Sequence, residues 1–197
     1  MPADLRQKLE DALSRSGSAS SDFDLNRDVV LPEHRRLTEA AVLVPIVAER
    51  QTVVLTKRSA RLKHHPGQIA FPGGKRDASD ASLADAALRE AHEEIGLPTH
   101  LAEMVGALPA HETVTGYQVA PFVSLISPDF RPVSEAGEVS EVFEVPLAHV
   151  CHPSRFQIQS RYWRGHRRRY YVIPYGPYYI WGATARILRG LADRMST

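Results

Sequence analysis

The chain has 197 residues, of which 43% are hydrophobic and 24% charged, the balance of an ordinary globular protein that can bury a core. Its 24 Lys and Arg residues nearly cancel 23 Asp and Glu residues, so the net charge of +1 identifies no partner and argues against strong non-specific binding to nucleic acid. The single cysteine, Cys151, excludes an internal disulfide, and no apolar run approaches the roughly 20 residues that span a membrane.

The N-terminal residues carry a helical pattern. Leu5, Leu9 and Leu13 recur at helical spacing, which predicts an amphipathic helix over residues 3–15. The stretch SRSGSASSD is typical of a flexible linker, so we expect an N-terminal arm in residues 1–36 and the main domain in residues 37–197. The arm is expected to pack on this domain or on a second copy of the chain, which leaves a homodimer open. Because the first 22 residues lack the apolar centre of a signal peptide, we expect a cytoplasmic enzyme or binding protein.

Short β-branched runs dominate the middle of the chain, and a second helical pattern closes it. The predicted elements are a hairpin formed by residues 40–47 and 52–58, a loop and strand in 67–74, two strands in 104–126, a strand and short helix in 138–150, a hairpin in 155–176, and a helix in 178–195. The apolar side of that last helix is predicted to contain Ile180, Ala183, Ile187, Leu188 and Leu191. Strands and helices in this order predict a single α+β or mixed α/β domain.

Residues 80–95 read as an amphipathic helix. Its expected core side consists of Ala84, Leu88, Ala91 and Ile95, its start is expected to be capped by Ser79 or Asp80, and its end by Gly96.

The same helix carries a cluster of acidic residues. Glu90 and Glu94 are four residues apart and project from neighbouring turns, with Glu93 beside them, and like charges at this spacing repel. The cluster is either a solvated face, partly neutralised by Arg89, or a site for a divalent cation held by carboxylate oxygens, which suits Mg²⁺ or Mn²⁺. The acid pair alone does not separate these two alternatives.

The residues around this helix resemble a known motif. The pair Gly73-Gly74 is followed fifteen residues later by REAHEEIGL, an order similar to the Nudix box, in which a glycine, an acid-containing spacer and Arg-Glu-x-x-Glu-Glu-x-Gly precede an aliphatic residue. The matching positions are Arg89, Glu90, Glu93, Glu94, Gly96 and Leu97. Two positions differ: Ala91 replaces a larger aliphatic residue, and the spacer acid, Asp80, is one residue out of its usual place, so we assign it the role of a helix cap.

Residues 55–77, LTKRSARLKHHPGQIAFPGGKRD, resemble the extension found in the coenzyme A pyrophosphatase branch of Nudix hydrolases, and the resemblance continues from about residue 37 to 190. It implies an α/β/α sandwich with a mixed central sheet. It also implies metal-dependent hydrolysis of the diphosphate of coenzyme A or its derivatives, giving 4′-phosphopantetheine, or its acyl form, and adenosine 3′,5′-bisphosphate. The alternatives are a Nudix hydrolase of another nucleoside diphosphate-X, such as ADP-ribose, a dinucleotide or an oxidised nucleotide, and a non-catalytic domain that binds a nucleotide or RNA.

The resemblance assigns roles to individual residues. Glu90, Glu94 and the backbone carbonyl of Gly73 are expected to bind the metal, Mg²⁺ or Mn²⁺. Glu93 is expected either to join these ligands or to activate the attacking water. Arg89 is expected to orient a carboxylate of the helix. A further acid from a later loop is expected to act on water, and among Glu135, Glu138, Glu141 and Glu144 the position of Glu138 fits best, with Glu141 second.

The substrate is expected to be a small molecule whose charges meet basic residues of the extension. Gly74 is expected to let the backbone approach a diphosphate, Lys75 to offset its charge, and His65 to contact the substrate. Arg58, Arg61 and Lys63 are predicted to bind a 3′-phosphate. The stretch RYWRGHRRRY adds five arginines, Arg161, Arg164, Arg167, Arg168 and Arg169, for which we rank a solvated hairpin face first, an anion site second and single-stranded nucleic acid last.

Overall fold

The computed structural model describes residues 2–31, 35–163 and 165–196, so Arg164 of the predicted arginine hairpin lies outside the described residues. The helices are α1 Pro2–Ser14, α2 Leu83–Ile95, α3 Leu147–Val150 and α4 Ala183–Met195. The strands are β1 Ser20–Ser21, β2 Thr38–Val47, β3 Thr52–Arg58, β4 Ile69–Ala70, β5 Gly73–Lys75, β6 Ala102–Ala107, β7 His111–Glu112, β8 Tyr117–Ile126, β9 Val139–Pro146, β10 Gln157–Trp163 and β11 His166–Val172. None of the described helices has both the length and the apolar content needed to cross a membrane.

Nine of the strands form one mixed sheet, and β10 and β11 form a separate antiparallel pair. Strand β2 lies parallel to β8 along its whole length, whereas β3 pairs with β9 in antiparallel fashion. The predicted hairpin between β2 and β3 is confirmed at its closed end, where Ile46 faces Val53 and Val47 faces Thr52. Beyond these pairs β2 and β3 take different partners, since β5 pairs with β2 and β4 with β3. The segment that contains Gly73 and Gly74 therefore lies where the two central strands separate.

Helices cover both faces of the sheet, which confirms the predicted α/β/α layers with a mixed central sheet. Side chains alternate along β2 with a period of two: Leu43 and Val47 join the apolar cluster under α2, whereas Val44 and Ile46 join the cluster under α1 and α4. Both faces of β2 are thus buried, as expected for a central strand with near-continuous apolar residues.

The N-terminal helix packs on its own chain. Leu9 is fully buried, Ala12 is 1% exposed, and α1 contacts α4 and β6. The prediction of a flexible linker after α1 is wrong for Ser20 and Ser21, because these residues form strand β1 and pair in parallel with residues 111 and 112. A backbone hydrogen-bonded to a sheet edge replaces the flexibility that the Ser-rich composition suggested.

Two helix predictions need correction. Helix α2 begins at Leu83 rather than residue 80, because Ser82 is its N-cap and its side chain accepts the Asp85 N–H at 3.2 Å. The buried residues of this helix are Ala86, Ala87, Ala91, Glu94 and Ile95, whereas Ala84 and Leu88 are only half-buried. Helix α4 begins at Ala183 rather than near residue 178, because Ile180 pairs with Ile173 in extended form and Gly182 at φ 65° redirects the chain.

We predict that Leu9→Ala destabilises the protein by about 2–5 kcal/mol, because it removes a fully buried side chain from the core shared with α4. Urea denaturation followed by circular dichroism measures this loss. Val30→Ala is the control, because Val30 is 93% exposed and its loss should change the free energy of unfolding by at most about 0.5 kcal/mol. Equal stability of Leu9→Ala and the wild type would contradict the packing of α1 in this core.

Candidate active site

A cleft with a volume of about 1060 Å³ opens beside β5 and α2. Ten of the twelve residues predicted from the sequence line it: Arg58, His65, Gly73, Gly74, Lys75, Arg89, Glu90, Glu93, Glu94 and Glu138. The other two, Arg61 and Lys63, are exposed and do not line it. The loop between β3 and β4 is closed by hydrogen bonds from the N–H of Gly67 to the carbonyl of Arg58, and from the N–H of Arg58 to the carbonyl of Gln68. This closure returns His65 to the cleft but leaves the middle of the loop outside.

Glu94 is the most buried acid of the cleft, with 4% of its surface exposed. Gly73 donates its N–H to Glu94 Oε2 at 3.3 Å, and the guanidinium of Arg58 lies 3.7 Å from Glu94 Oε1. Burial raises the pKa of Glu94 to about 8, and the charges of Glu90 and Glu138 add to this, against the opposing effects of Arg58 and Gly73. The partners present in the chain therefore do not compensate this carboxylate for its loss of solvent.

Glu90 lies against bare backbone. A Cβ atom on Gly74 would stand 2.2 Å from Glu90 Oε1, and one on Gly73 would stand 2.4 Å from the carbonyl oxygen of Ala41 in β2. The close contact at position 74 is thus with a carboxylate of α2. From the sequence we expected the glycine to allow a close approach to a diphosphate, and we did not predict this contact with Glu90. Burial raises the pKa of Glu90, although hydrogen bonding to Arg89 opposes this rise.

Arg89 joins the acids of the helix to the loop before it. Its Nε and Nη2 atoms reach the two carboxylate oxygens of Asp80 at 3.0 and 3.1 Å, and its Nη1 atom reaches Glu90 and Glu93 at 3.0 Å each. A further hydrogen bond of 3.0 Å goes to the carbonyl of Lys75. The fork of the guanidinium is matched on every side, so Arg89 fixes the positions of two carboxylates at once.

Asp80 does not cap the helix. Its carboxylate binds Arg89 and accepts the N–H of Asp77 at 2.8 Å, and its hydrogen bond with Arg89 is the main cause that lowers the pKa of Asp80. The spacer acid of the motif therefore holds Arg89, and Arg89 in turn contacts the carboxylates that line the cleft.

The later acids fall in different surroundings. Glu138 lines the cleft, and its charge raises the pKa of both Glu90 and Glu94. Glu141 instead accepts a hydrogen bond from the hydroxyl of Tyr178, and Glu144 pairs with Arg50 at 2.7 Å. Glu135 also lines the cleft, and its carboxylate accepts the Glu138 N–H at 2.7 Å, so it shapes the turn that presents Glu138.

A second cavity of about 260 Å³ adjoins the cleft and shares Arg58, His65 and Gly73 with it. Arg161, Arg168 and Arg169 of the β10–β11 hairpin line this cavity. From the sequence we ranked a solvated hairpin face first. Arg161, Arg167 and Arg169 are exposed and agree with it, whereas Arg168 is half-buried. Arg167, hydrogen-bonded to Ser160 at 3.0 Å, does not line the cavity. Sequence reasoning also missed Thr115 and Tyr117 in the cleft and Asp22 in the second cavity.

The donors present fit a hard divalent cation. Glu94 offers a buried carboxylate and Glu90 a half-buried one, and among the described residues no group of three or more His, Cys, Asp or Glu side chains is arranged to hold a metal ion by itself. Mg²⁺ prefers this kind of partial site, because it keeps several waters and completes its shell with substrate phosphates rather than with protein ligands alone.

Comparison with known proteins agrees with this geometry. The NUDIX domain family profile matches residues 37–164, which contain the Gly73-Gly74 segment, α2 and Glu138. The chain therefore belongs to the Nudix hydrolase family. It is an enzyme that hydrolyses a diphosphate linkage in a compound of the nucleoside diphosphate-X type.

Individual relatives cover almost the whole chain. It is 43% identical over 185 residues, 93% of each chain, to an uncharacterized Nudix hydrolase NudL of Enterobacter sp. (strain 638), and 45% identical with the same coverage to the protein of that name from Escherichia coli O1:K1 / APEC. Among solved structures, a MutT/nudix family protein from Enterococcus faecalis aligns with a TM-score of 0.49 at 16% identity, covering 98% of this chain and 74% of that one.

We predict that Gly74→Ala weakens Mg²⁺ binding by roughly tenfold or more while the protein stays folded, because the new Cβ displaces the flexible end of Glu90 rather than backbone. The rise in melting temperature on adding Mg²⁺ measures this change. Gly190→Ala in α4 is the matched control, because its Cβ would meet only Arg186 Nη1 at 3.9 Å. An unchanged response to Mg²⁺ in Gly74→Ala would contradict the proposed contact between Glu90 and the metal.

Proposed function

We propose that this enzyme hydrolyses the diphosphate of coenzyme A or its derivatives, with Mg²⁺ or Mn²⁺, in the cytoplasm. The observation that carries the proposal is the convergence of Glu90, Glu93, Glu94 and Glu138 in one cleft with Arg58 and Lys75. Acids that hold a divalent cation and basic residues that meet phosphate oxygens are both needed to cleave a diphosphate. The choice of coenzyme A rests on the resemblance of residues 55–77 to that branch of the family.

The chemistry needs a water molecule to form a bond to one phosphorus while the bridging P–O bond breaks. Coenzyme A and one water then give 4′-phosphopantetheine and adenosine 3′,5′-bisphosphate. A bound Mg²⁺ or Mn²⁺ supplies charge neutralisation of the diphosphate and lowers the pKa of water. Members of this family generally use such ions, and Glu90 and Glu94, with the backbone of Gly73, are the residues proposed to hold one.

The chain's own side chains have separable tasks in this proposal. Arg89 holds the carboxylates of Glu90 and Glu93 in place through two hydrogen bonds of 3.0 Å. Glu138 is proposed to accept the proton of the attacking water, with Glu93 assisting at the metal. Lys75 is proposed to offset charge on the phosphate oxygens, and its ammonium also lies 5.7 Å from the ring of Tyr117, which keeps it at the wall of the cleft.

A panel of diphosphates tests the proposal directly. Purified protein is incubated with coenzyme A, acetyl-coenzyme A, ADP-ribose and a dinucleotide, each with Mg²⁺ and with Mn²⁺, and the products are separated by chromatography. We expect coenzyme A or its acyl form to give the highest kcat/KM and the two products named above. Glu94→Gln should cut turnover by orders of magnitude, whereas Glu49→Gln, at an exposed site on the β2–β3 turn, should not. A preference for ADP-ribose would refute the assignment to coenzyme A.

A second prediction separates the two candidate loop acids. Glu138→Gln should lower kcat with little change in KM, because the proposed proton transfer is needed in the transition state and not for binding. Glu141→Gln should lose much less activity, because its carboxylate is occupied by the hydroxyl of Tyr178 and does not line the cleft. Steady-state kinetics on the best substrate of the panel decides the order, and a larger loss in Glu141→Gln would show that the assignment is wrong.

A further inference from the structure

The second cavity is built around two guanidinium groups on one face of the β10–β11 hairpin. Arg161 and Arg168 are directly paired across the two strands, so their side chains project from the same face. The guanidinium carbon of Arg161 lies 4.4 Å from the ring centroid of Trp181, and that of Arg168 lies 5.5 Å from the ring of Phe23. Each cation is thus held over an aromatic surface, and both line the cavity.

The charges in this cavity are unbalanced. Basic groups on its wall include Arg58, Arg161 and Arg168, whereas Asp22 is the one acid on the wall among the described residues. Asp22 already accepts the Val114 N–H at 2.9 Å and lies 3.4 Å from Nε2 of the buried His111. Burial lowers the pKa of Arg168, and the charge of Arg161 lowers it further while Asp22 opposes this effect. An anion bound in this cavity would lower the repulsion between the guanidinium groups of Arg161 and Arg168.

The N-terminal segment holds this arrangement in place. The side-chain amide of Asn26 accepts the Arg169 N–H at 2.7 Å and donates to the Arg169 carbonyl at 2.9 Å, as a neighbouring strand would. Asn26 is 1% exposed, and the nearby Asp24 pairs with Arg186 of α4 at 2.8 Å. The hairpin is therefore fixed to the body of the protein beside Arg168, and its cationic face is directed at the cavity.

The cavity is connected with the site of hydrolysis. Arg58, His65 and Gly73 line both spaces, so a ligand whose diphosphate lies over Glu90 and Glu94 can extend into the second cavity without leaving the protein surface. Arg61 and Lys63, the residues predicted from sequence to bind a 3′-phosphate, line neither space. Arg58 lies 3.7 Å from Glu94, which places it at the diphosphate end.

We propose that Arg161 and Arg168 form a subsite for a phosphomonoester that the substrate carries in addition to its diphosphate. The subsite rests on the proposed function and narrows its substrate class to nucleoside diphosphate derivatives with a phosphorylated ribose. A dianionic phosphate offers three oxygens to two guanidinium forks, and such charge-assisted hydrogen bonds are stronger than neutral ones. Both guanidinium groups line the cavity while each lies over an aromatic ring.

Two nucleotides that differ by one phosphate group test the subsite without any catalysis. Adenosine 3′,5′-bisphosphate and adenosine 5′-monophosphate are titrated into the metal-free protein by calorimetry. We expect the bisphosphate to bind the wild type roughly ten- to a hundredfold more tightly. Arg161→Gln and Arg168→Gln should each remove most of this ratio and leave the affinity for the monophosphate nearly unchanged.

Arg167→Gln is the matched control, because Arg167 belongs to the same hairpin, bonds to Ser160 on the opposite face and lines neither cavity. It should keep the wild-type ratio. Equal binding of the two nucleotides by the wild type, or an equal loss of the ratio in Arg167→Gln, would overturn the subsite. Melting temperatures of the three variants establish that each is folded.

Kinetics separate a failure of the subsite from a failure of the proposed function. Coenzyme A should have a kcat/KM roughly ten- to a hundredfold above that of 3′-dephospho-coenzyme A, and Arg161→Gln and Arg168→Gln should reduce this preference. Cleavage of coenzyme A with the preference intact in both variants would refute the subsite but leave the function standing. Failure to cleave coenzyme A, together with a nucleotide-binding ratio that depends on both arginines, would refute the function but support the subsite.

Discussion

The contact between the Glu90 carboxylate and the bare backbone at Gly74 is the constraint on which the site depends. There is no room for a Cβ between them, since that atom would lie 2.2 Å from Glu90 Oε1. The neighbouring Gly73 is equally confined by the carbonyl oxygen of Ala41 on β2. Helix α2 is thereby held close to β5, and its acids are removed from solvent at the point where β2 and β3 diverge. A side chain at position 74 would displace the end of Glu90, whereas one at position 73 would meet the backbone of β2.

Burying acids in this way carries an electrostatic cost that the fold only partly offsets. Arg89 compensates Glu90 and Glu93, and Asp80 in turn compensates Arg89. Glu94 has the weaker partners, a backbone N–H at 3.3 Å and Arg58 at 3.7 Å, and these do not offset the burial that raises its pKa. A site that keeps a carboxylate under-compensated is prepared to bind a cation, because the ion removes an existing destabilisation instead of merely adding an attraction.

Most residues of the candidate cleft could be predicted from sequence, because the resemblance to the Nudix box and its upstream extension covers the local segments that line it. The spacing of Glu90, Glu93 and Glu94 and the cap at Gly96 depend on helix geometry alone. The partner of Asp80 could not be predicted in this way. The sequence does not distinguish an aspartate that caps a helix from one that binds an arginine nine residues away. The divergence of β2 from β3 was also hidden, because a hairpin pattern does not specify which further strands each partner takes.

The second cavity was harder to predict, because long-range pairing builds it. Asn26 and Arg169 are 143 residues apart, and nothing in the Ser-rich composition before Asn26 indicates that this segment pairs with a hairpin. The sequence shows the arginines as a cluster, but it does not show the aromatic rings that they contact in the fold. Without those contacts, a basic hairpin cannot be distinguished from a solvated one. The contacts of Arg168 with Phe23 and of Arg161 with Trp181 distinguish the two cases, and these contacts form only in the folded chain.

The cleft and the second cavity also differ in how many of their lining residues belong to the matched family region, residues 37–164. All four acids proposed to act on the diphosphate lie within residues 37–164. The second cavity draws on both sides of that region, with Asp22 before it and Arg168, Tyr170 and Trp181 after it. Cleavage of a diphosphate needs only the shared part, because metal and phosphoryl chemistry are the same for every nucleoside diphosphate-X. Discrimination among such compounds requires contacts with the parts of the substrate that differ. We propose that Arg161, inside the matched region, makes such contacts together with Arg168 from the segment that follows it.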